Sequence, residues 1–114
     1  MIARIWRGQA TPGNADAYHR HVTETVFAAL TSMDGHRGAY LLRRQMPEGV
    51  EFLAVTLWDS IEAVKQFAGD NPDVAVVEPA ARAALAEFDT FVRHYEIVHA
   101  NHPAASKPDP RARL

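Results

Sequence analysis

Few side chains in this 114-residue chain can move a proton or hold an anion inside a folded domain, and spacing narrows them further. Histidine is the ordinary proton carrier near neutral pH. His19 and His21 lie on one helical segment, where the helical period places His19 about 40° from the centre of an apolar stripe and His21 about 120° away. His19 is therefore the candidate catalytic base facing a cavity, although a histidine at such a boundary also serves simply to bond a backbone carbonyl. Helical metal ligands stand three or four residues apart, so the two-residue spacing of His19 and His21 points to no metal site. His94 and Glu96 share a strand face. There a carboxylate can orient an imidazole, or both can join a polar network at a subunit interface. Arg4 alternates with Ile2 and Trp6 and suits either an anionic ligand or a structural carboxylate. Tyr18 in the helical stripe and Tyr40 on a strand offer hydroxyls to orient a ligand oxygen, but tyrosines with buried rings and wet hydroxyls are common. His99 and His102 fall in a polar tail and read as solvated.

The elements that must position these groups are legible from the alternation. Val50 to Trp58 is a strand apolar on both faces: Phe52, Ala54, Thr56 and Trp58 point one way and Leu53, Val55 and Leu57 the other. Both sides need cover. The strand runs directly into Asp59-Ser60 and a helix with Ile61, Val64, Phe67 and Ala68 on its apolar side, and Asp59 with Glu62 has the spacing of a capping box. Trp58 at this join is a pocket-rim candidate, and equally a core aromatic.

Ahead of it, Ile2 to Ala10 reads as a strand broken by Thr11-Pro12-Gly13-Asn14. A helix from Ala15 to Met33 follows, with Asn14 as its cap and Gly35 as its left-handed stop. His36 to Met46 is a second strand with a bulge at Gly38 and with Arg43-Arg44 guarding an edge, and Pro47-Glu48-Gly49 turns into the central strand. Pro72 opens a short helical turn, Pro79 a helix through Ala86, and Phe88 to Val98 forms the fourth strand. The order β-α-β-β-α-β predicts an α+β, ferredoxin-like domain: helices on one face of a four-stranded antiparallel sheet and an open apolar face on the other. Dimerisation through that face is the expected way to cover it.

Composition bounds the rest. The length suits one domain, taken as residues 1–99, followed by a proline-rich tail over 100–114. Fourteen acidic residues against twelve basic ones leave no electrostatic footprint for nucleic acid, so small molecules or proteins are the expected partners. Without cysteine there is no disulfide, thiolate metal site or thiol nucleophile. Arginines interrupt the N-terminal apolar residues, and no apolar run approaches the ~18 residues of a membrane span, which reads as a cytoplasmic protein.

The topology, the strand-Trp58-Asp59-Ser60-helix join and the closing strand Phe91-Val-Arg-His-Tyr-Glu96 together resemble an antibiotic-biosynthesis-monooxygenase domain of the dimeric α/β barrel superfamily, over roughly Ile2 to Val98. The resemblance implies two sheets pairing face to face, with a cavity in each subunit between helices and sheet. It also implies cofactor-free oxygenation of aromatic molecules, or haem degradation. Quinone-forming members carry asparagine and tryptophan on the third strand, a tyrosine on the next helix and an arginine further on. Here the tryptophan is Trp58 and the arginine candidate is Arg82, whereas the other two positions hold Ala54 and Val64. Haem-degrading members use asparagine on the first strand and tryptophan and histidine on the helical segment. In this chain the first strand offers Trp6 and Arg7 and the helix offers Phe67, with no histidine from Met46 to Arg93, so haem degradation by that mechanism is not expected. Oxygenation without a cofactor needs an electron-rich substrate anion, a base and a dry cavity. The alternatives are a binding barrel without catalysis, and an isomerase or cyclase using His19 or His94 as base.

Overall fold

In the computed structural model, which describes residues 1–101, nine residues of the first strand pair without a break against the two-faced strand. The C-terminal tail from residue 102 on, with His102, lies outside the described residues. Strand β1 (Ile2–Ala10) runs antiparallel to β3 (Gly49–Trp58) in a register that opposes Ile2 to Trp58, Arg4 to Thr56, Trp6 to Ala54 and Gly8 to Phe52. Because strand side chains alternate, these pairs share one face. That face is covered by helices α1 (Ala15–His21), α2 (Phe27–Leu30), α3 (Ile61–Ala68) and α4 (Pro79–Ala84). Strand β2 (His36–Met46) takes the far side of β3, with a register shift at His36/Gly38 where a bulge is expected. The other edge of β1 pairs with β4 (Leu85–Phe88) and β5 (Arg93–Glu96), giving the antiparallel order β2-β3-β1-β4 with β5 continuing along β1. This is the α+β, ferredoxin-like arrangement.

Two cores lie between sheet and helices. One holds Ala10, Tyr18, Val22, Val50, Phe52, Ala81 and Leu85, the other Leu30, Trp58, Ala63 and Val64. The opposite face carries Ile5, Leu53, Val55 and Leu57 half-buried and Tyr40, Leu42 and Tyr95 about half exposed, an apolar surface of the kind expected to need cover.

Several local expectations are corrected. The long helix is interrupted: Val22–Val26 is a π-helical turn, so the stripe beyond it continues as Val26, Phe27 and Leu30 while Ala29 is exposed. Asn14 makes no side-chain cap. The cap of α3 is Ser60, whose hydroxyl accepts the Ala63 N–H at 3.2 Å, because the Asp59 carboxylate is held by the Arg37 guanidinium at 2.6 and 2.8 Å. Pro72 heads a turn and not a helix, and α4 ends at Ala84. The closing strand is split at Asp89–Val92, where Ala75 N–H donates to the Thr90 carbonyl and Val92 N–H to that of Asp73; the chain leaves β1 there to bind the α3–α4 connection. Gly35 does adopt the left-handed conformation, at φ 81°, with Asp59 N–H donating to its carbonyl at 2.8 Å.

Candidate functional site

The sheet face with Arg4, Trp6, Ala54 and Thr56 is incompletely filled by the helices. A cavity remains, bounded above by Tyr18, His21, Val22, Val26, Phe27 and Leu30, and at its sides by Phe67, Val76, Glu78, Ala81 and Val92. Its volume is about 70 Å³. At roughly 10–15 Å³ per water, this is room for several waters or about one aromatic ring. The walls are mainly carbon, and the ionisable groups among the lining residues are Arg4, Tyr18, His21 and Glu78.

Arg4 is 5% exposed. Its Nη1 donates to the Pro72 carbonyl and lies 3.0 Å from His94 Nε2, its Nη2 donates to the Val74 carbonyl at 3.2 Å, and its guanidinium lies 5.8 Å from the Phe67 ring centre. Burial lowers its pKa to about 10, with Asp73 pulling the other way, so it remains a cation at neutral pH. Since a guanidinium only donates, His94 Nε2 must be the acceptor, which places the proton on Nδ1, 3.3 Å from Asp73 Oδ1. Burial first and then the Arg4 charge hold the His94 pKa below its ordinary value, consistent with that neutral tautomer. The residue orienting His94 is thus Asp73 and not Glu96: the β1–β5 register opposes His94 to Arg4 and Glu96 to Ile2, and the carboxylate beside Nδ1 is that of Asp73.

Tyr18, 1% exposed, stacks obliquely on Phe52 at 4.9 Å and borders the cavity; burial pushes its hydroxyl pKa up, so it stays a neutral phenol. Trp6 also lines the cavity, with its Nε1 donating to the Asp89 carbonyl at 2.6 Å, and Phe67 closes one end.

The remaining sequence candidates lie elsewhere. His19 is exposed and does not border the cavity; His21 does. The single helical period averaged across a stripe that the π turn breaks, and Glu78 and Ala81 pack along the flank of α1 that carries His21. Trp58 is fully buried and borders no part of the cavity, its Nε1 donating to Thr56 Oγ1 at 2.8 Å and its ring stacked between Phe67 and the edge of His36. Arg82 is exposed and lies over the Phe88 ring at 5.4 Å. Tyr40 sits on the open sheet face, 52% exposed. Of the sequence candidates, the fold therefore gathers Arg4, Trp6, Tyr18 and Phe67 around one cavity, with His94 behind Arg4. Sequence reading missed His21 and Glu78; the nearest signal was Glu78 preceding Pro79 at a helix start. Among the described residues no cluster of three or more His, Asp or Glu stands ready to hold a metal, and no helix is long and apolar enough to cross a membrane.

Residues 1–78 match the sequence profile of the family described as antibiotic biosynthesis monooxygenase. Among curated proteins no sequence match is found. Solved structures share the fold at low identity. A candidate antibiotic biosynthesis monooxygenase of Caulobacter crescentus CB15 is similar with a TM-score of 0.65 and 17% identity, covering 86% of this chain and 90% of that one. The haem degrader MhuD of Mycobacterium tuberculosis, solved with two haems in its active site, gives a TM-score of 0.58 at 21% identity, covering 90% of this chain and 100% of that one. A monooxygenase from the ActVA-Orf6 gene of Streptomyces coelicolor, solved with nanaomycin D, gives 0.59 at 13% identity, covering 90% and 92%.

Proposed function

The chain belongs to the antibiotic biosynthesis monooxygenase family, and on that premise we propose that it oxygenates an apolar aromatic small molecule with dioxygen and no resident cofactor. The observation that carries this reading is the carbon-walled cavity with one buried cation, Arg4, in its wall. An aromatic ring suits the walls, and an anionic oxygen on it suits Arg4. In such a reaction the substrate anion supplies the electrons. Dioxygen accepts them, one of its atoms enters the ring as a carbonyl, and the other leaves as water with the two displaced hydrogens. The protein's part is to bind the ring, exclude water and favour the anion. The cavity volume favours a substrate near one ring in size.

The functional unit in this reading is a homodimer of the 1–99 domain joined through the open sheet face, where Tyr40, Leu42 and Tyr95 stand exposed beside Val55 and Leu53. The remaining residues, 100–114, are read as a tail appended to it.

The test is oxygen uptake by purified, metal-stripped protein with phenols, naphthols and anthrones, beside Arg4→Gln. The reading expects uptake that needs the protein and falls at least tenfold in the variant. Binding with no uptake by any member of the panel would replace it with a binding barrel. For the dimer, Leu42→Glu is expected to convert the eluting species to a monomer; a wild-type monomer at low micromolar concentration would refute it.

A further inference from the structure

His21 Nε2 is buried, has no hydrogen-bond partner among the described residues, and lies 3.6 Å from Glu78 Oε2, just too far for a hydrogen bond. A buried imidazole nitrogen left without a partner is uncommon and asks for one. Both side chains line the cavity, and they differ in exposure: the His21 side chain is 12% exposed and that of Glu78 47%. The pair therefore runs from the cavity interior to solvent. Among the described residues the other histidine near the cavity, His94, has both ring nitrogens engaged by Arg4 and Asp73.

Resting on the oxygenase reading above, we infer that His21 and Glu78 are the proton-accepting pair of the cavity, and that the substrate is a hydroxyaromatic whose O–H is directed to His21 Nε2. The step balances simply. The O–H bond breaks and the Nε2–H bond forms; the electron pair stays on the substrate oxygen, leaving an aryloxide in a cavity whose wall holds Arg4. The imidazolium gains the neighbouring Glu78 carboxylate as counter-charge, and the half-exposed carboxylate is the route by which the proton passes to water. Neither residue was marked by helical period. The docking of the segment that begins α4 against the flank of α1 creates the pair.

The proton transfer can be read without any oxygen chemistry, using 4-nitrophenol, a one-ring probe whose anion absorbs in the visible. Anaerobic titration of the intact protein into the probe, below the probe's own ionisation midpoint, is expected to raise the bound anion fraction several-fold. The His21 ring resonances should move to their protonated positions at the same time. His21→Gln, with a far-UV spectrum matching the wild type, should lose that gain and bind the neutral probe; Glu78→Gln, at a half-exposed position, should reduce it. His19→Gln should leave it unchanged. No anion gain in the wild type, or a gain that survives His21→Gln, would overturn the assignment, the latter moving the effect to Arg4 alone. Probe ionisation that depends on His21 without oxygen uptake would keep the pair and sink the oxygenase reading instead.

Discussion

Replacing Thr56 by valine isolates one buried hydrogen bond between sheet and helices. Trp58 is 0% exposed and Thr56 7%, and the 2.8 Å contact from indole Nε1 to Thr56 Oγ1 is the partner found for that N–H. Valine keeps the shape and removes the acceptor, so the N–H is left buried and unpaired at a cost of about 1–3 kcal/mol. Trp58→Phe removes the donor, and with it some contact area beside Phe67, for a comparable ~1–3 kcal/mol. The informative quantity is the double variant. Without the indole N–H, Thr56→Val has nothing left to orphan, so the two losses should fail to add, with a coupling of about 1–2 kcal/mol. Urea unfolding followed by far-UV circular dichroism at one fixed protein concentration measures it, and each kcal/mol corresponds to roughly 4 °C in Tm for a domain of this size. Additivity within ~0.5 kcal/mol would refute the buried pair. Because Trp58 does not line the cavity, Trp58→Phe should also leave 4-nitrophenol affinity unchanged; a tenfold loss would return Trp58 to the site.

Other expectations follow from geometry already given. At Gly35, φ 81° and a built Cβ only 2.6 Å from Ala63 Cβ combine backbone strain with a clash, so Gly35→Ala should cost at least about 2 kcal/mol in urea melts. Gly13→Ala, which meets nothing within 4 Å, should stay within ~0.5 kcal/mol. The Glu51 pKa is lowered from 4.5, first by its hydrogen bond from Arg7 and also by Arg44, so its contribution is present above that value and lost as pH falls through the folded one. Glu51→Gln should therefore lower the urea midpoint at neutral pH and flatten its acid decline; an unchanged decline would refute the role. His94 is held below 6.5, so the folded state takes up its proton later than the unfolded chain. Stability from this group is complete above 6.5 and falls as pH drops through the folded value. His94→Gln should remove part of the slope that develops as pH falls below 6.5, leaving the share of His36, which burial also holds low, and an unaltered slope would count against the Arg4–His94–Asp73 arrangement.

Strand alternation was legible because it depends on near neighbours alone: Phe52, Thr56 and Trp58 against Leu53, Val55 and Leu57 fixes which face is which, and pairing with β1 then carries Arg4 and Trp6 to the cavity side. Gly35 and the bulge at Gly38 were legible for the same reason. Features set by distant chain were not. The π turn at Val22–Val26 breaks the single stripe drawn from Ala15 to Met33, and nothing in a period of 3.6 announces it. His21 becomes a wall residue only when Glu78 and Ala81 arrive, and His94 meets Asp73 only when the register of β5 is set against β1. Asp59 had the spacing of a cap but lost that role to a competing arginine from β2, a competition that local spacing does not contain.

The connection between α3 and α4 is fastened from the inside. Arg4 reaches up from the sheet to the carbonyls of Pro72 and Val74, so the cation in the cavity wall is also the pin that holds part of that wall in place. Any anion that draws the guanidinium toward itself competes with those two carbonyls. By reciprocity, whatever loosens the wall frees the cation for a guest, and a guest that engages the cation loosens the wall by the same free energy. Affinity for an anion and the order of the α3–α4 connection are then one equilibrium, drawn on only once the guest in the cavity carries negative charge.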